Sequence, residues 1–270
     1  AIHTDTRSEA GVASVSGANN GEVYSVIVSN SVNSVTSSGA TLTVLSTMTG
    51  TFLPTNGAVN ISPDQQLRIV FAGGSPRLNT NGTFTVRDAA DNSVVQTIDA
   101  AQFLSYTPGN TSIQTIPNVA VRFTQGSYSG TGNGTTAYYY MPIALYGNEA
   151  WITLTNRLAY GHTYYATCDT GLFLDSNGAS FSGITGTNTW RLSTKASGPA
   201  TPTTNTGPTS ITVGLDGAGD FATLQGAFDW IPQSNTLART VHVLPGIYRD
   251  SATLAGNRNF VTIVGDGASR

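Results

Sequence analysis

Residues 211–232, ITVGLDGAGDFATLQGAFDWIP, followed by TVHVLPGIYRD at 240–250 and FVTIVGDGASR at 260–270, decide the architecture. A short apolar run at Ile211 to Val213 leads into a glycine-rich turn. Phe221, Leu224, Ala227 with Phe228, and Ile231 then recur at helical spacing, which predicts one apolar face over about three turns. Asp220 precedes that face as the expected N-cap, and Pro232 stops the helix. Val241 and Val243 alternate around His242, Pro245-Gly246 turns the chain, and Val261 and Ile263 repeat the strand one coil later. Strand, glycine turn, a single helix and two further strands predict the opening of a right-handed parallel β-helix. The helix is its lid, because a solenoid end otherwise exposes stacked apolar side chains and unpaired backbone. Each phenylalanine buried there contributes about 1.5 to 3 kcal/mol. Such a fold needs more coils than follow, so the C-terminus reads as cut, as does an N-terminus that starts at Ala1 without Met or leader.

Upstream, ASGPATPTTNTGPT at 196–209 has no apolar period and reads as a semi-extended linker that would let its neighbours stand apart. Before it, residues 48–195 alternate short strands with turn signals. Leu67, Ile69 and Phe71 alternate with Arg68 and Val70. Further strand candidates run over Gly82 to Arg87, Val94 to Ile98, Ala120 to Thr124, Ala137 to Leu145, Ala150 to Leu154, Tyr164 to Cys168 and Thr189 to Ser193. Seven or eight short strands and no convincing helix predict a β-sandwich. Tyr106 to Thr136 is rich in Gly, Ser and Thr and reads as a long loop or insertion. Residues 1–46 contain two alternating runs, Val26, Val28 and Val35, then Ala40, Leu42 and Val44, joined by a Ser/Asn turn. They are too short for a sandwich of their own and read as the tail of one.

Composition limits the partners. The 270 residues carry a net charge of −3, only 10% are charged, and 30 are glycine. Such hydroxyl-rich, weakly ionic surfaces suit secreted, bacterial all-β proteins. No Lys/Arg run supplies the counterion release on which nucleic-acid binding rests, so a nucleic-acid partner is rejected. No stretch reaches the roughly 18 apolar residues of a membrane span. The lone Cys168 excludes an intrachain disulfide.

Two resemblances add to these readings. The order D-G-x-G-D-F-x-T-L-Q-x-A at Asp216 to Ala227, Ile231-Pro232, L-P-G-x-Y-R-D at Leu244 to Asp250, and I-x-G-D-G at Ile263 to Gly267 resembles the N-terminal part of the pectin methylesterase family, within the pectin-lyase-like superfamily. The resemblance covers residues 210–270. It implies hydrolysis of methyl esters on polygalacturonan by an aspartate nucleophile, a second aspartate as acid/base, glutamine oxyanion donors and a positioning arginine. In the family these lie on later coils, so the resemblance places no catalytic residue, no cofactor and no metal ligand in this chain. G-x-x-Y-S-V-x-V-S-N at Gly21 to Asn30 resembles the last strands of a bacterial immunoglobulin-like domain, with Tyr24 as its corner tyrosine. Residues 50–195 are similar to the immunoglobulin-like domains of bacterial surface proteins. The implied whole is a secreted, multidomain pectin methylesterase; a non-enzymatic surface or adhesive protein, and another polysaccharide lyase or glycosidase of the same fold, stay open.

Several tempting residues have plainer readings. His3, His162 and His242 lack companion ligands at short spacing. Asp169, Asp175, Asn177 and Gly178 resemble a calcium loop without its closing acid and read as a turn. Tyr138-Tyr139-Tyr140 and Trp151 offer either a sugar-stacking platform or strand core. Gln225 supports a turn rather than an oxyanion, and Tyr248 and Arg249 read as packing and a surface ion. The GTGNGTT stretch at 130–136 lacks the spacing of a phosphate loop. Oligomeric state is not legible.

Overall fold

A computed structural model describes residues 20–44, 47–72, 74–79, 81–101, 120–122, 138–140, 142–154, 157–249, 252–254 and 256–267, with backbone alone for 120–122 and 138–140. The chain is mainly β. It opens with β1 (Val23–Tyr24), β2 (Ile27–Ser29), β3 (Ser34–Thr36) and β4 (Ala40–Thr41). β1 pairs with β4 and β2 with β3, both antiparallel, so the expected hairpin forms. Its turn closes because the Asn30 side-chain oxygen accepts from the amides of Val32 and Asn33. Val26, Val28 and Val35 remain exposed.

The central body uses β5 (Gly50–Leu53), β6 (Ala58–Ile61), β7 (Leu67–Phe71), β8 (Arg77–Leu78), β9 (Thr83–Asp88), β10 (Val94–Asp99), β11 (Ala120–Arg122), β12 (Tyr138–Tyr140), β13 (Ile143–Tyr146), β14 (Glu149–Ile152), β15 (Thr163–Cys168), β16 (Phe173–Leu174) and β17 (Arg191–Thr194). One sheet has the order β10-β9-β15-β17-β6, the other β13-β14-β7-β5. Period-two alternation sends Leu67, Ile69 and Phe71 from one sheet, and Phe84, Val86 and Ala166 from the other, into a single apolar core. Trp190 is wholly buried there, stacked on Phe52 at 4.8 Å, with its indole N–H donating to the Pro54 carbonyl at 2.8 Å.

One strand expectation changes. The single run Ala137 to Leu145 is two strands in different sheets, β12 beside β11 and β13 beside β14. Pro142 lies between them, where a residue without an N–H cannot continue a ladder. Arg68 and Val70 alternate away from the core, and Arg68 is only partly exposed where it pairs with Asp216 of the C-terminal segment. Most of the loop expected at Tyr106 to Thr136 lies outside the described residues, as do the side chains of Tyr138, Tyr139 and Tyr140.

The C-terminal segment contains β18 (Ser210–Val213), one helical turn at Leu215–Gly217, α1 (Leu224–Trp230), β19 (Arg239–Val243) and β20 (Val261–Gly265). The three strands form one parallel sheet in which Val241 lies in register between Ile211 and Ile263. Ile211, Val213, Phe221, Ala227, Ile231 and Val241 make a second core, and Phe228 is also buried. α1 is a correction to the helix expected over three turns from an Asp220 cap. It has seven residues, and its N-cap is Thr223, whose hydroxyl accepts from the Gly226 amide at 2.9 Å. The Asp220 carboxylate instead accepts from the Thr212 amide and hydroxyl, at 2.8 and 2.9 Å. That engagement holds Phe221 outside the helix as an extended partner of Val213.

The linker reading also changes. Residues 196–209 do not hold their neighbours apart: the buried Arg239 gathers them by donating to the carbonyls of Thr203, Thr206 and Pro208, and to the Asn235 side chain. Trp230 adds an indole hydrogen bond to Ala200 at 3.1 Å.

Candidate functional site

The loop Ser62 to Gln66, between β6 and β7, brings the central body and the parallel sheet together. One oxygen of Asp64 accepts from the Ala222 amide at 3.0 Å; the other accepts from the Thr223 amide at 2.9 Å and hydroxyl at 2.7 Å. A residue from the first body thus completes the cap of a helix in the second. The approach requires a glycine at 226, because a Cβ there would collide with the Asp64 carboxylate. Gly217, at φ +90°, has the same role opposite β6, where a Cβ would lie 2.6 Å from the Asn60 carbonyl.

Around this loop the Gln65 side chain accepts from the Asp216 amide at 2.9 Å, Ser62 donates to the Gly219 carbonyl at 3.0 Å, and Lys195 donates to the same carbonyl. Arg68 pairs with Asp216 at 2.7 Å and Arg157 with Asp229 at 2.8 Å. A small cleft opens here, lined by Pro63, Asp64, Gln65, Thr153, Arg157 and Thr223.

On the outer face of β14, Trp151 is buried beneath two cations. The Arg68 guanidinium lies 4.9 Å from its ring centre and that of Arg249 5.8 Å. Trp151 therefore takes the buried rather than the exposed of its two expected readings, although the docked segment, not the two-sheet core, buries it. Its indole N–H donates to Glu149 at 2.6 Å.

The remaining sequence-marked residues are scattered. Gln225 is buried and holds the following loop, donating to Asp229 at 2.6 Å and accepting from the Thr253 amide at 2.8 Å. Tyr248 packs on the second core, its hydroxyl donating to the Leu244 carbonyl at 2.7 Å, and burial pushes its phenol above its usual range. Asp175 accepts from the amides of Asn177 and Ala179, while Asp169 accepts from the Thr83 amide and hydroxyl; the two carboxylates serve separate turns. His162 meets Asp88 at 2.6 Å and His242 meets Asp266 at 3.0 Å, two pairs on separate sheets. His3 lies outside the described residues. Burial and neighbouring Asp169 push the Cys168 thiol up to about 12, which leaves it protonated and unreactive at neutral pH. Among the described residues no group of three or more His, Cys, Asp or Glu is placed to hold a metal ion. No described helix is long and apolar enough to cross a membrane.

What sequence reasoning missed is the seam itself. Asp64 and Arg68 stand about 150 positions from the Ala222 amide and the Asp216 carboxylate they meet, and no local pattern connects them.

No family model matches the chain. Three curated relatives from Arabidopsis thaliana match part of it. Pectinesterase QRT1 is 36% identical over 56 residues, 21% of this chain and 15% of that protein. Pectinesterase 31 is 36% identical over 55 residues, covering 20% and 17%. Probable pectinesterase 55 is 37% identical over 60 residues, covering 22% and 18%. The chain thus spans less than a fifth of the length of these relatives. A crystal structure of the S-layer protein SbsC superposes at a TM-score of 0.27 and 13% identity, over 61% of this chain and 16% of that one, a likeness too slight to inform the fold. The chain carries a pectinesterase-like segment of roughly sixty residues.

Proposed function

We propose that residues 210–270 are the capped entrance of a pectin-methylesterase β-helix, and that the protein to which they belong is a secreted bacterial enzyme hydrolysing methyl esters of polygalacturonan. Residues 48–195 act as an immunoglobulin-like domain docked against that entrance, and residues 1–46 as the tail of another. One observation carries the reading: the residues with the pectinesterase motif order are the ones that build the parallel ladder β18-β19-β20 and its covering helix. The ester chemistry requires a nucleophilic carboxylate beside an acid/base and oxyanion donors. The described acids near the entrance are already engaged: Asp216 by Arg68, Asp220 by Thr212, Asp229 by Gln225 and Arg157, and Asp266 by His242. No residue of this chain is assigned a catalytic role, and the chain alone is inactive in this reading.

Methanol release from methyl-esterified pectin tests it. The 270-residue chain should release none above background, and a protein extended beyond residue 270 along its own gene should release it steadily. Hydrolysis by the short chain refutes the catalytic assignment; an inactive extended protein, correctly folded, refutes the enzyme.

A further inference from the structure

The structure assigns an acidic-sugar subsite to Arg249 and Tyr146, on the seam beside β13. Arg249 is exposed, and its guanidinium lies 4.1 Å from the Tyr146 ring centre. Its backbone is fixed from across the seam, because the Gln66 amide group donates to the Arg249 carbonyl at 3.0 Å. Tyr146 is 41% exposed, and its hydroxyl has no partner among the described residues.

Every other lysine and arginine whose side chain is described donates to a protein acceptor. Arg68 and Arg157 bind carboxylates; Arg77, Arg87 and Arg258 bind carbonyls; Arg191, Arg239 and Lys195 are likewise engaged. Among the described residues Arg249 is the one cation whose guanidinium donors meet no acceptor, on a protein with only 12 lysines and arginines in 270 residues. Stacking on an aromatic face holds the planar fork in place, which lowers the entropy lost when it receives a ligand. A guanidinium fork matches a carboxylate in bidentate geometry. Glu149, the cross-strand partner of Tyr146, accepts from Trp151 instead.

Among the described residues the site offers one unpaired cation, so it takes one carboxylate at a time and does not match the clustered charge of a polyphosphate. The exposed tyrosine beside it gives a sugar ring a partial stacking surface and a hydroxyl partner. The ligand class is a uronate residue, with its carboxylate unesterified, in an acidic polysaccharide. Choosing galacturonate as that uronate rests on the proposed function; the Arg249 fork itself does not.

Affinity electrophoresis of the 270-residue chain tests this with four probes: de-esterified polygalacturonate, fully methyl-esterified pectin, neutral galactan and polyaspartate. De-esterified polygalacturonate alone should retard the protein. R249Q should weaken retardation at least about fivefold, R249K should lose part of it because the charge survives without the fork, and R191Q should match the parent. Unchanged melting temperatures would show that the variants are folded. Equal retardation by esterified pectin, galactan or polyaspartate overturns the subsite, as does no retardation, or an R249Q as well retained as the parent. Binding by the short chain alongside an inactive extended protein would leave the subsite standing and remove only the enzyme.

Discussion

Asp64 is a single carboxylate that serves two bodies. It receives two backbone amides and one hydroxyl from Ala222 and Thr223, and the hydroxyl it receives belongs to the cap of α1. Hydrogen bonds to a charged acceptor contribute about 1.5 to 3 kcal/mol, and an abandoned helix-end amide adds its own desolvation cost. D64A should therefore lower the melting temperature by roughly 4 to 10 °C, and D64N, which keeps one acceptor, by less than half of that. Differential scanning calorimetry decides; a D64A variant melting with the parent would mean that the seam contributes nothing. The same residues show what the sequence could and could not disclose. Asp220 and Thr223 are both acceptable caps by type, and a one-dimensional pattern had no means of knowing that Thr212 would engage Asp220 first. Phe221 and Phe228 were legible as buried because apolar spacing alone marks a face, whichever residue starts the helix.

At the scale of elements, alternation located the central strands: Leu67 to Phe71, Thr83 to Asp88 and Thr163 to Cys168 all bury every second residue or more, as their patterns required. The segment 196–209 misled for a physical reason. Proline, threonine and glycine without apolar period do indicate a chain with no core of its own, but not whether a distant side chain will gather it. Arg239 does so, with a guanidinium almost wholly buried and four acceptors around it. Removing it takes the guanidinium donor from the Thr203 and Pro208 carbonyls and the Asn235 side-chain oxygen, while the Thr206 carbonyl keeps the Thr203 amide. R239Q is expected to release the segment, so that limited proteolysis cuts within 196–209 at least about tenfold faster than in the parent, as follows if local opening becomes about 1.4 kcal/mol easier. Mass spectrometry of the early fragments checks the site. Unchanged cleavage rates would show that Trp230 and the neighbouring turns hold the segment without Arg239.

For the whole molecule, the parallel ladder was legible because Val241 and Ile263 repeat the same apolar pattern one coil apart, and repetition of that kind is local information. The docking of the central body onto the ladder was not, because it depends on pairs such as Arg68 with Asp216 that no periodicity connects. Docking covers one end of the ladder and leaves the other face to β20. That strand has β19 on one side and no described neighbour on the other. Ile263 is 51% exposed, Val264 37% and the adjoining Phe260 64%. A flat strand edge with unpaired amides and apolar side chains is a template for another strand, and nothing charged on β20 itself discourages pairing. The 270-residue chain should therefore self-associate through this edge, and sedimentation velocity should show a concentration-dependent rise in mass between about 1 and 100 μM, the range of a weak strand-edge contact of about 5 to 8 kcal/mol. Placing lysines there in I263K/V264K should hold the protein monomeric across the same range while leaving its melting temperature within about 2 °C, since both side chains already face solvent. Association that persists in the double variant would move the contact away from β20, and the exposed valines of the β2-β3 hairpin would then be the surface to alter.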